Sequence, residues 1–171
     1  MMKANEMALA IQNSGIKNSK DASTALQFFW NAICNYISNN CEVKYAWIGT
    51  NPGTGIPDPI VFVNCKVNAT GSLTPCNLKD TNAALGAMST QMNTNAATWT
   101  VIPDIKTSPG FLLTPSFIIP SIVLTPSNLN NNISALEHIC NQIILGIKTA
   151  TPVMTGTHLT FVGTATFLSI I

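Results

Sequence analysis

The chain contains no arginine. Eight lysines stand against seven acids, the formal net charge is +1, and charged residues are 9% of 171 positions. Soluble proteins average roughly 25%. Each shortage excludes something. Displacing counterions from a nucleic-acid backbone needs clustered Lys and Arg, so direct nucleic-acid binding is not expected. The guanidinium fork that grips phosphates and carboxylates is missing altogether. The acids are scattered. Glu6, Asp21, Glu42, Asp58, Asp80, Asp104 and Glu137 leave no local carboxylate pair and no acidic calcium loop. Cys34, Cys41, Cys65, Cys76 and Cys140 form no CxxC pair, so zinc spacing is absent and buried reduced thiols are expected. The most apolar stretch, Phe111 to Leu124, is interrupted by Pro115 and Pro120 and falls short of the ~20 residues of a spanning helix. The opening Met1-Met2-Lys3-Ala4-Asn5-Glu6 lacks the apolar core of a signal peptide. The expectation is synthesis in the cytosol without export, and no membrane partner.

Signatures of catalysis are missing too. Gly53-Thr54-Gly55 has no following Lys-Ser/Thr and opens no helix, so it reads as a tight loop between strands. No Gly-x-Ser-x-Gly elbow occurs. His138 precedes Cys140 by two residues on an expected helix, and such positions do not face each other. His158 reads as a polar residue opening the last strand. Asp58 reads as a turn residue bonding its own backbone. No catalytic, cofactor-binding or metal residue is assigned, and no cofactor is expected.

What is present is apolar and amide-rich. Hydrophobic residues make up 46% of the chain, with 20 Thr and 19 Asn. High apolar content at near-zero charge excludes disorder and favours association. Ala4, Met7, Ala8 and Ile11 follow the spacing of one helical face over about Lys3 to Asn13, and Gly15 stops it. A second helix is expected from Ala22 to Asn39, capped by Asp21 and striped by Leu26, Phe29, Trp30, Ile33 and Ile37. Phe28, Phe29 and Trp30 are consecutive, so they cannot all face one core. Strands are expected at Glu42 to Ile48, where Val43, Tyr45 and Trp47 alternate, and at Ile60 to Ala69. A weaker helix follows from Asp80 to Asn93, then a short strand at Trp99 to Ile102. The clearest helix runs from an N-cap at Ser127 to about Lys148, and a strand or hairpin from Thr157 to Ile171 ends the chain.

Residues 103–127 differ from the rest. Pro103, Pro109, Pro115, Pro120 and Pro126 recur every five or six residues around Phe111-Leu112-Leu113, Phe117-Ile118-Ile119 and Ile122-Val123-Leu124. Proline blocks helices and central strands, so an extended strap is expected. A long loop of this kind is uncommon and usually functional. Its clusters must be buried against its own core or against a neighbour. The nine apolar residues Phe111, Leu112, Leu113, Phe117, Ile118, Ile119, Ile122, Val123 and Leu124 are therefore the candidate interface. The expected fold is α+β, a single domain of residues 1–171. Two long amphipathic helices pack on a small, mostly antiparallel sheet from residues 42–74 and 157–171, with the Pro-rich extended strap 103–127.

Low charge, high apolar content and no catalytic constellation favour a structural subunit of a homo-oligomeric particle. The opening Met2-Lys3-Ala4-Asn5-Glu6-Met7-Ala8, the helix ending Ile33-Cys34-Asn35-Tyr36-Ile37 before a Gly-Pro loop, and the closing Gly156-Thr157-His158-Leu159-Thr160-Phe161 carry a resemblance. The pattern resembles small virion proteins of tailed bacteriophages. That resemblance implies a non-enzymatic tail, neck or capsid accessory, made in the host cytoplasm and located in the virion. Its partners would be copies of itself and other virion proteins. Two further classes stay open. One is a surface carbohydrate-binding or adhesin-like module using exposed Trp47 or Trp99. The other is a small hydrolase whose residues, His138 or His158 among them, meet only in space.

Overall fold

The computed structural model describes residues 1–76, 79–113, 116–118, 120–129 and 131–171, without the side chains of Ser116 and Phe117. Four α-helices form where the apolar stripes lie: α1 (Ala4–Gln12), α2 (Ala22–Asn40), α3 (Thr81–Ala96) and α4 (Asn132–Lys148). Asp21 caps α2 by accepting the Thr24 N–H at 2.7 Å. Phe29, Trp30, Ile33 and Ile37 of α2 are buried, each contributing about 1.5–3 kcal/mol by burial. Phe28 is left exposed at 36%, the consequence of three aromatics in a row. The Tyr36 hydroxyl ties α1 to α2, accepting from the Lys3 N–H at 2.7 Å. Helix α4 begins later than expected. Asn131 is its cap, accepting the Ile133 N–H at 2.8 Å, while Ser127 closes a turn of its own by accepting the Leu129 N–H.

The sheet overturns the expected architecture. The class is α+β, but the described residues form seven strands, not a small sheet: β1 (Glu42–Thr50), β2 (Phe62–Asn68), β3 (Thr100–Pro103), β4 (Phe111–Leu113), β5 (Ser116–Phe117), β6 (Met154–His158) and β7 (Phe161–Ile170). They pair antiparallel in the order β4-β6-β7-β1-β2-β3-β5. The two edge strands, β4 and β5, come from the strap and are separated in sequence only by residues 114 and 115. Laid flat, seven strands would put those edges about 29 Å apart. The linking residues span at most about 11 Å. The sheet therefore curls into a nearly closed, barrel-like shape, with β3 lying against β4. Its inward residues, among them Val43, Tyr45, Val63, Cys65, Val101 and Ala165, share one core with Trp30, Ile33, Ile143 and Ile147 of the helices.

A row of small residues permits the curl. Gly156, Gly163 and Gly49 are direct register partners across β6, β7 and β1. A Cβ on Gly163 would collide with the Ile48 carbonyl and, at 2.6 Å, with Gly49 Cα; one on Gly156 would strike the Leu112 carbonyl. Neighbouring backbones approach along this row more closely than any side chain allows, which is where glycine belongs in a bent strand.

The strap folds onto its own chain. Leu113, Ile118, Ile122 and Leu124 are buried. Gly146 of α4 lets the strap backbone pass, since a Cβ there would meet Ile122 Cα at 2.6 Å. Helix α3 supplies the strap's polar contacts. Asn93 accepts the Ile122 N–H at 2.8 Å and donates to its carbonyl at 2.9 Å, while Ser89 accepts the Leu124 N–H at 2.9 Å. On its other flank Gln91 and Asn95 hold Thr74 and Ser72 in the same two-sided way. Polar side chains thus take the place of a neighbouring strand, and at Ile122 and Leu124 they satisfy backbone groups that would otherwise be buried without partners. This polar work explains why α3 carries so weak an apolar stripe.

Candidate functional site

The outward face of the sheet follows from strand alternation and register. Because successive side chains point to opposite faces, the residues between the buried Tyr45, Trp47 and Val63 point outward. One outward row crosses Leu112, Thr157, Val162 and Thr50. The next crosses Thr155, Thr164 and Ile48, and a third crosses Thr166, Ala46 and Phe62. Leu112 is 78% exposed, Ile48 69%, Phe62 64% and Val162 54%. These rows hold threonine and apolar residues with no charge. Lysine enters only beyond them, at Lys44 and Lys66. At strand and residue spacings of about 4.8 and 6.8 Å the ten residues of these rows cover about 330 Å². Half of them are threonine, so the face mixes hydroxyl and apolar groups in an area the size of a monomer's larger surface patches.

Behind this face lies a buried polar cluster. Asp58, in the loop between β1 and β2, accepts a hydrogen bond from Trp47 Nε1 at 2.8 Å and from His158 Nδ1 at 2.7 Å, both on Oδ2. Its Oδ1 accepts the Ile60 N–H at 3.0 Å. The Asp58 side chain is fully buried and that of His158 is 9% exposed. A carboxylate only accepts, so the His158 Nδ1 carries the proton. Burial pushes the Asp58 carboxyl up, but hydrogen bonds from Ile60, His158 and Trp47 together hold it below the ordinary carboxylate range. Phe111 stacks on the His158 ring at 4.2 Å between centroids and meets Trp47 edge-on at 5.3 Å. The cluster joins β1, β4, the end of β6 and the β1–β2 loop, so it fixes the strands that carry the outer face. Among the described residues, no serine, threonine or cysteine hydrogen-bonds the His158 ring. No group of three or more metal-ligating side chains is found among them, and no helix there is long and apolar enough to cross a membrane.

The structure sorts the candidate interface residues. Leu113, Ile118, Ile122 and Leu124 are buried in the chain's own core, Phe111 is half-buried, and Leu112 and Val123 are exposed. The Phe117 side chain and Ile119 lie outside the described residues. Leu112 alone of the nine is placed in the outward rows. Asp58 does bond its own backbone through Ile60, as expected, but its second oxygen serves Trp47 and His158. His158 closes β6 instead of opening the last strand, and it is buried. His138 is half-exposed on α4 beside Gln142. Trp47 and Trp99 are buried, at 3% and 0% exposure, so neither presents a ring for stacking on a sugar. The outer face does leave a signal in the sequence. Thr155-Gly156-Thr157 and Thr164-Ala165-Thr166 repeat at period two, and Ile60-Val61-Phe62-Val63 is apolar at successive positions, so at both faces. The Asp58–His158 pair, 100 residues apart, had none. Comparisons with protein-family models, curated proteins and solved structures find no match, so the functional reading rests on the chemistry of the chain.

Proposed function

We propose that the protein is a non-enzymatic structural subunit that assembles with copies of itself through the outer face of β6, β7, β1 and β2. The observation that carries this reading is the run of uncharged outward rows from Leu112 to Phe62. Sheets pack face to face at about 10 Å by interdigitating such side chains. A surface without charge neither repels an identical copy nor selects a charged partner, so a second copy is the occupant it fits. The face is less than half of the ~800 Å² each partner contributes to a standard interface, so the contact extends past these rows, Leu168 beside Thr166 being exposed as well. The virion setting, as a tail, neck or capsid accessory of a bacteriophage, rests on the sequence resemblance and on the low-charge composition.

Negative-stain imaging of the purified protein tests the reading. Rings, tubes or another closed oligomer are expected, and Thr164→Lys should abolish them while the circular dichroism spectrum stays unchanged. Particles that persist in Thr164→Lys would place the contact elsewhere.

A further inference from the structure

A cavity of about 380 Å³ opens between the start of α2, residues 73–76 and the first turns of α3. Its walls are mostly apolar, with Leu26, Leu73, Leu85 and Met88 prominent, and Lys79 is its one charged lining residue. Three of these side chains are in an unusual position. Leu26 belongs to the apolar stripe of α2, and Leu85 and Met88 to that of α3, and all three pack against the core, yet all three remain half-exposed. Helical periodicity aims them inward, and among the described residues no side chain fills the space they face. The neighbouring acid does not neutralise the rim by pairing with Lys79. Asp80 is engaged as the cap of α3, accepting the Ala83 N–H at 2.8 Å.

We infer that this cavity is a binding site for a small anionic amphiphile of the medium-chain fatty-acid class, its tail against Leu26, Leu85 and Met88 and its carboxylate toward Lys79. The volume falls within the range of small-molecule sites, which combine apolar walls with a few polar groups that orient the ligand. The site is separate from the outer sheet face, so its occupancy stands or falls independently of assembly.

Cys76 provides the readout. It lines the cavity and is the only cysteine that is not buried. Burial pushes the thiols of Cys34, Cys41, Cys65 and Cys140 up to about 12, so they react slowly in the folded chain. Iodoacetamide should therefore label one thiol, followed by mass spectrometry of the intact protein and its peptides. With dodecanoate kept below micelle formation, at about ten times its Kd, alkylation of Cys76 should slow roughly tenfold. Dodecanol should protect less well. Lys79→Ala should remove the preference for the acid over the alcohol, about two- to fivefold. Leu85→Trp, which fills the space, should abolish protection at an unchanged Tm. Unchanged Cys76 kinetics at saturating dodecanoate would overturn the inference. So would equal protection in the wild type and Leu85→Trp. Labelling of the four buried thiols during the experiment would show a detergent effect and overturn it as well.

Discussion

His158 Nδ1 donates to Asp58 Oδ2 at 2.7 Å across 100 residues of sequence. The same oxygen accepts from Trp47 Nε1, so one buried carboxylate serves two donors from different strands. Removing it would leave both donors buried without a partner. Asp58→Ala should therefore cost about 2–5 kcal/mol, read as a lower urea midpoint at constant m-value. A loss below about 0.5 kcal/mol, the level of an ordinary surface substitution, would show that the cluster does not hold the strands together.

The same carboxylate sets an acid limit. Burial raises its pKa, but the hydrogen bonds from Ile60, His158 and Trp47 lower it further than burial raises it. The folded value therefore lies below the unfolded value of about 3.9. Below the unfolded value the unfolded chain binds more protons, so this contribution is complete above about pH 4 and is lost as pH falls through the folded value. Thermal melts from pH 6 to pH 2 should show a shallower acid limb in Asp58→Asn than in the wild type. Parallel limbs would assign the acid sensitivity to other groups.

Two alanine substitutions should move stability in opposite directions. Gly163→Ala drives a Cβ into the Ile48 carbonyl of the neighbouring strand and should destabilise by about 2–4 kcal/mol. Gly86 lies inside α3, and a Cβ there meets nothing within 4 Å. Gly86→Ala should stabilise by about 0.5–1 kcal/mol. Calorimetry of the pair checks both, and a Gly163→Ala protein as stable as the wild type would contradict the close-packed glycine row.

Asn93 offers the strap both a donor and an acceptor, and both are used on Ile122. Asn93→Ala should cost about 1–3 kcal/mol. Asn93→Asp keeps the acceptor for the Ile122 N–H and loses the donor, so it should fall between. Amide hydrogen exchange at Ile122 and Leu124 should quicken in Asn93→Ala before exchange in α2 does. Uniform acceleration would mean that the strap opens only with the whole fold.

Local signals in the sequence carried the helices and most strands, because caps and stripes are short-range physics. Asp21 and the Phe29–Ile33–Ile37 stripe act where expected. Ser127 misled because a serine turn and a serine cap look alike in sequence, and Asn131 four residues on does the capping. The barrel was not legible. Proline blocks helices and central strands, so residues 103–127 read as an extended strap, yet β4 and β5 fit between prolines because both are short edge strands, where proline nearby is tolerated. Closure depends on the Gly49–Gly163–Gly156 row, which unites residues more than 100 positions apart and leaves no periodic mark. The outer face lay hidden for a related reason. Ile48 and Phe62 look like core residues until register puts them on the other side of Trp47 and Val63.

The most direct measurement is the solution mass by light scattering on a sizing column, for the wild type and for Ile48→Lys with Phe62→Lys. Both side chains are mostly exposed in the single chain, so folding should survive the substitutions within about 1 kcal/mol. Assembly through this face requires a wild-type mass that is a defined multiple of 18.2 kDa and a folded monomer for the double variant. A wild-type monomer, or a double variant with the wild-type oligomer mass, would contradict it.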